Sequence, residues 1–154
     1  MKKIQIEGNG NIKKLLPEQY DNTRKEIKNL NIPESLFEYR KQVEMINTLY
    51  LKTPLTEDKL LKRFINHKLS SYKQQDIKNE IYGPNYFISF DETVQKLVES
   101  KLKCFYCNKD LYLIYKEIKD KDQWTLDRIN NDMGHNTDNV IICCLDCNLQ
   151  RKTR

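Results

Sequence analysis

Cys104-Phe-Tyr-Cys107 and Trp124-Thr-Leu-Asp127-Arg128-Ile-Asn-Asn-Asp-Met-Gly134-His135-Asn-Thr-Asp138-Asn139-Val-Ile-Ile-Cys143-Cys144-Leu-Asp-Cys147-Asn148 hold all five cysteines of the chain. Four of them form two C-x-x-C pairs, Cys104/Cys107 and Cys144/Cys147, separated by about three dozen residues. A C-x-x-C turn folds its backbone as a knuckle that lets two sulfurs reach one ion, and zinc binds four thiolates tetrahedrally. Clustered pairs in an intracellular chain point to metal rather than to disulfides. The pattern predicts a structural Zn²⁺ site that joins the start of a small module to the N-terminus of its last helix. Cys143 stands outside the pairs. The two-residue spacing to Cys147 favours Cys144 as ligand and leaves Cys143 as a small apolar residue of a strand.

Outward from the cysteines, the local patterns define elements. Leu111 to Tyr115 alternates like a strand, Trp124 to Ile129 is a second candidate strand, and Val140 to Cys143 is a short β-prone run. Leu145 to the end reads as a helix carrying Arg151, Lys152 and Arg154. Trp124 is expected in the core. Upstream, Ser89 and Glu92 have capping-box spacing, and Val94, Leu97, Val98 and Leu102 form the buried stripe of the helix they begin. Leu36, Tyr39, Val43, Ile46 and Tyr50 predict an amphipathic helix after Pro33. Thr56 is placed to cap another, with Leu60, Leu61, Phe64 and Ile65 inside. A polar helix is expected from about Ser71 to Tyr82, ended by Gly83-Pro84. Pro17 to Leu30 reads as a weak helix and residues 1–16 as an arm. His67 is expected on a helix surface. Ser70 to Lys78 reads either as a nucleic-acid contact or as a solvated helix face.

The quoted stretch resembles the core of the HNH endonucleases. D-R-I, G-H, D-N-V and C-x-x-C-N fall in order inside a cysteine frame, over roughly residues 86–154. The resemblance implies an α+β chain: a helical N-terminal region followed by a small zinc-stapled ββα-metal (HNH/His-Me finger) module. The division expected is 1–85, mostly α-helical and contributing to DNA binding, and 86–154, the nuclease module. The activity implied is metal-dependent hydrolysis of phosphodiester bonds in DNA, double-stranded above all. A divalent ion stabilises charge on the phosphate and leaving oxygen, and a base activates water.

By the resemblance, Asp127 and Asn148 match the ligands of a catalytic Mg²⁺ or Mn²⁺, an ion that prefers oxygen donors, and Asn139 matches the residue that orients the base. The chain departs from the pattern where the base histidine should follow the aspartate. Arg128 stands there, and a guanidinium stays protonated. Either His135 acts as base from its loop, or the module binds nucleic acid without cleaving it. In both cases Arg128 is a candidate phosphate clamp, with Arg151, Lys152 and Arg154 as further nucleic-acid contacts. A surface histidine bonded to backbone is the plain alternative for His135.

Composition fits either reading. The chain has 154 residues, 38% apolar and 32% charged, with net charge +5. So polar a chain can bury one modest core, which a metal staple would reinforce. The basic balance suits a nucleic-acid partner. No apolar run has the length of a membrane span, and MKKIQIEGNG has no apolar core behind its lysines. A soluble intracellular protein, cytoplasmic or in a host nuclear compartment, is expected. Modules of similar pattern occur as free-standing genes in phages, large DNA viruses and mobile elements.

Overall fold

The computed structural model describes Ile27 and residues 31–152. The arm expected over 1–16, nearly all of the weak helix expected over 17–30, and Arg154 lie outside the described residues. Two compact units divide the chain: 1–30 with 116–120, and 31–115 with 121–154. In the first, the Ile27 amide donates to the Lys116 carbonyl at 2.7 Å. The expected 85/86 boundary falls inside the second unit, which carries every element named below.

That unit opens with a 3₁₀ turn, Glu34–Phe37, and helix α1, Tyr39–Tyr50. Leu36, Met45 and Ile46 are buried, whereas Tyr50 at the end of the expected stripe is exposed. Helix α2 runs unbroken through Asp58–Lys78, merging the two helices expected on either side of residue 70. Its stripe of Leu61, Phe64, Ile65 and Leu69 continues at helical spacing through half-buried Tyr72 to buried Asp76, so packing carries the helix through the polar segment. Thr56 does not cap it; Glu57 is the N-cap and makes no side-chain capping bond. Helix α3, Phe90–Glu99, starts with the full capping box of Ser89 and Glu92. Its Val94 and Leu97 are buried, with Leu102 just beyond.

Strands β1, Trp124–Arg128, and β2, Val140–Cys144, pair antiparallel with Trp124 opposite Cys144 and Arg128 opposite Val140. Helix α4, Leu145–Lys152, follows β2 without a linker. Helix α1 packs on α3, α3 on β2, and α4 on both strands. This is a mixed architecture of helices around a two-stranded sheet.

Residues 111–115 do not form the expected strand. Leu111, Leu113, Ile114 and Tyr115 are all buried, so the alternation fails. The backbone there is satisfied by a side chain: Gln42 Oε1 accepts from the Leu113 and Ile114 amides at 2.6 and 3.1 Å, and its Nε2 donates to the Ile114 and Leu36 carbonyls at 2.9 Å each. Among the described residues no helix is long and apolar enough to cross a membrane.

Candidate metal centre and adjoining polar site

The two knuckles meet where the turn after α3, with Lys101 and Leu102 at positive φ, delivers Cys104 and Cys107 against the β2–α4 junction. The Sγ atoms of Cys104, Cys107, Cys144 and Cys147 all lie within 4.8 Å of one another. Cys107 and Cys144 sulfurs are 3.9 Å apart, close to the roughly 3.8 Å that tetrahedral Zn–S bonds impose. Backbone amides point at the sulfurs: Cys107 N and Cys144 N at Cys104 Sγ (3.5 and 3.4 Å), and Cys147 N at Cys144 Sγ (3.3 Å). Burial works to raise the Cys104 thiol, but the amides of Cys107, Cys144 and Tyr106 outweigh it and bring the group to about 7. Such amides favour the thiolate, the form a metal takes. Asn108, at φ 63, turns the chain out of the first knuckle, and the Phe105 amide ties that knuckle to Ile142 of β2 at 3.0 Å. The donor set and its spacing fit a metal such as zinc.

Cys143 is not part of this cluster. It is fully buried on β2, takes a hydrogen bond from Thr125 Oγ1 on its carbonyl at 2.9 Å, and burial pushes its thiol up to about 12. It is the inert apolar residue that its place outside the pairs implied.

Beside the cluster lies a polar site built on β1. Asp127, 6% exposed, accepts on one oxygen, Oδ2, from Tyr106 Oη at 2.7 Å, and the same oxygen forms an ion pair with Arg151 Nε at 2.6 Å. The Arg151 guanidinium also stands 5.2 Å from the Tyr106 ring centre. Burial, then the bond to the carboxylate, raises the Tyr106 phenol above its ordinary value, which keeps it a donor. Asn148 projects from α4 onto the same strand. Its Nδ2 donates to Thr125 Oγ1 at 3.0 Å and to the Leu126 carbonyl at 3.3 Å, while its Oδ1 is buried without a partner. A buried amide oxygen left unpaired costs free energy and has the chemistry of a ligand for a hard cation. Asp127 and Asn148 are therefore brought to one strand, Asp127 from β1 itself and Asn148 from the first turns of α4.

The remaining candidates serve the loop between the strands. Arg128 Nη1 donates to the Asn131 and Met133 carbonyls at 3.2 and 3.3 Å. Asn139 accepts from the Asn130 amide and donates to the Asn130 and Gly134 carbonyls, all between 2.9 and 3.0 Å. His135 is 3% exposed, its Nδ1 lies 2.7 Å from Asp76 Oδ1, and its amide donates to Asp76 Oδ2 at 2.7 Å. Its ring stacks on Tyr72 with centres 4.4 Å apart. It is not the surface histidine of the plain alternative. Gly134 is required by this approach, because a Cβ there would lie 2.7 Å from Asp76 Oδ2 and 2.8 Å from the Ile81 carbonyl. Arg151 reaches Asp127; the side chain of Lys152, like Arg154, falls outside the described residues.

Three residues escaped the sequence reading: Tyr106, Tyr72 and Asp76. Tyr106 sits inside the knuckle, between Cys104 and Cys107, where no local pattern sets it apart from a spacer residue. Tyr72 and Asp76 lie in the polar run Ser70–Lys78, most of whose other side chains are solvent-exposed. Their signal was available, since they continue the inner stripe of α2 at spacings of three and four. His67 is on the helix surface and Trp124 is fully buried, as expected.

No family model, curated protein or solved structure matches the chain.

Proposed function

We propose that the chain is a metal-dependent DNA endonuclease of the HNH type, with zinc at the four cysteines and Mg²⁺ or Mn²⁺ held by Asp127 and Asn148. The observation that carries this reading is the unpartnered Oδ1 of Asn148, buried against the strand that bears Asp127. The divalent ion would supply charge stabilisation at the scissile phosphate and leaving oxygen. The chain's own residues do the rest. Thr125 and the Leu126 carbonyl fix the Asn148 amide so that its oxygen, not its nitrogen, is available. Tyr106 anchors Asp127. Asn139 and Arg128 hold the interstrand loop in one shape through its carbonyls. Asp76 fixes the ring of His135 through Nδ1, the orientation that a proton-accepting imidazole needs.

The 3% exposure of His135 favours a second reading: a zinc-stapled module that binds nucleic acid without cleaving it, with Arg128 committed to the loop. Supercoiled plasmid separates the two. Incubation with Mg²⁺ or Mn²⁺ gives nicked or linear product that disappears with EDTA and in an Asn148→Ala variant that retains its zinc. DNA retention that weakens with salt, with no cleavage in either ion, establishes the second reading in its place.

A further inference from the structure

Arg151 follows Asn148 by one helical turn, so both face β1 from the same side of α4. Its Nε and the phenol of Tyr106 share a single carboxylate oxygen of Asp127. The two donors differ in how firmly they are held. Tyr106 is fixed by the knuckle, between two cysteines of the metal cluster. Arg151 stands near the end of α4, with its side chain 38% exposed against 8% for the Asp127 side chain. A carboxylate this buried needs a counter-charge, because an ionised group without one bears a large desolvation cost. In the DNA-free chain Arg151 supplies it. A divalent ion on Asp127 would supply it instead, and two cations on one carboxylate repel each other.

We infer that Arg151 is an exchangeable counter-ion: it holds Asp127 in the DNA-free chain and moves to a backbone phosphate of the DNA when the divalent ion takes the carboxylate. This rests on the endonuclease reading, which makes Asp127 an ion ligand. The chemistry of the side chain suits both positions. A guanidinium pairs with carboxylate and phosphate alike through the same fork of donors. The guanidinium can stay near the Tyr106 ring, 5.2 Å from its centre, while it changes partner. Tyr106 keeps its hydrogen bond throughout, so Asp127 does not lose its orientation when Arg151 leaves. The exchange weakens the divalent site until a phosphate is present to receive the arginine.

The test is direct titration of Mn²⁺ into the full zinc-bearing chain, with free Mn²⁺ read by electron paramagnetic resonance. Wild type, Asp127→Asn, Arg151→Ala and the length-preserving Arg151→Gln are compared without DNA. Both Arg151 variants are expected to bind Mn²⁺ roughly fivefold tighter than wild type, the scale of a half-exposed ion pair, and Asp127→Asn to lose that binding. In parallel, the salt dependence of duplex binding is expected to fall by about one ion in both Arg151 variants. Loss of binding in Asp127→Asn with wild-type Mn²⁺ affinity in both Arg151 variants overturns the exchange and leaves the endonuclease reading standing. An unchanged salt slope overturns the phosphate half of the exchange. No Mn²⁺ binding that depends on Asp127 in any of the chains overturns both.

Discussion

Gln42 does with one side chain what a paired strand would do for Leu113 and Ile114. Its amide meets both of their N–H groups and the carbonyls of Leu36 and Ile114, at zero exposure. A buried amide hydrogen left without an acceptor costs about 1–3 kcal/mol, and replacing Gln42 strands two of them. Gln42→Leu is accordingly expected to lose about 3 kcal/mol of stability in urea unfolding; an unchanged midpoint would show that these amides find other partners. The same logic applies in reverse at Asn148. There the oxygen is the group without a partner, and its cost is tolerated in a residue whose amide nitrogen is doubly engaged.

At the scale of elements, the β2–α4 junction sets which sulfurs converge. Cys143 and Cys144 are neighbours in one strand, so their side chains point to opposite faces. Cys144 meets the first knuckle, 3.9 Å from Cys107, whereas Cys143 is buried beside Thr125. Metal analysis of purified variants should therefore find one zinc per chain in Cys143→Ala and none in Cys144→Ala. Equal zinc in the two would reverse the assignment of ligands. The junction also couples the cluster to the polar site. Tyr106 comes from within one knuckle and Asn148 directly follows the other, so loss of the metal would release both the anchor of Asp127 and its neighbouring amide. The free edge of β1 is closed in the same way, by Tyr72 Oη on the Leu126 amide at 3.1 Å and by Asn148 on the Leu126 carbonyl. Helices α2 and α4 thus complete a sheet of only two strands.

Across the compact unit as a whole, α2 is the long contact surface. From it Lys68 reaches the start of β1, bonded to Gln123 Oε1 and lying 5.4 and 5.5 Å from the Tyr115 and Trp124 ring centres. Burial lowers its amine to about 7 from the ordinary 10.5. Between those values the unfolded chain binds a proton that the folded chain lacks, so this group makes stability rise with pH across the window. Below about 7 both states are protonated and the full cost of the buried charge is present. Denaturant unfolding of wild type and Lys68→Met should accordingly give the variant its greatest relative stability at pH 6, with the gap narrowing in favour of wild type by pH 9. Parallel curves for the two proteins would mean that Lys68 stays charged in the fold.

Read by itself, the sequence determined what depends on local spacing. Two C-x-x-C pairs specified a four-thiol cluster because a knuckle is a property of four consecutive residues. Ser89 and Glu92 specified the start of α3, and the two short β-prone runs became β1 and β2 within a residue of their expected ends. Tertiary structure decided what depends on partners distant in the chain. Residues 111–115 lost their strand because Gln42 is there to satisfy them, and α2 ran on past residue 70 because Tyr72 and Asp76 have the interstrand loop to meet. Arg128 was assigned to the loop carbonyls, and Arg151 to Asp127, by the same rule. A charged side chain carries its charge in the sequence, but its partner is whichever opposite or polar group the fold brings within about 3 Å, and no local pattern encodes that meeting.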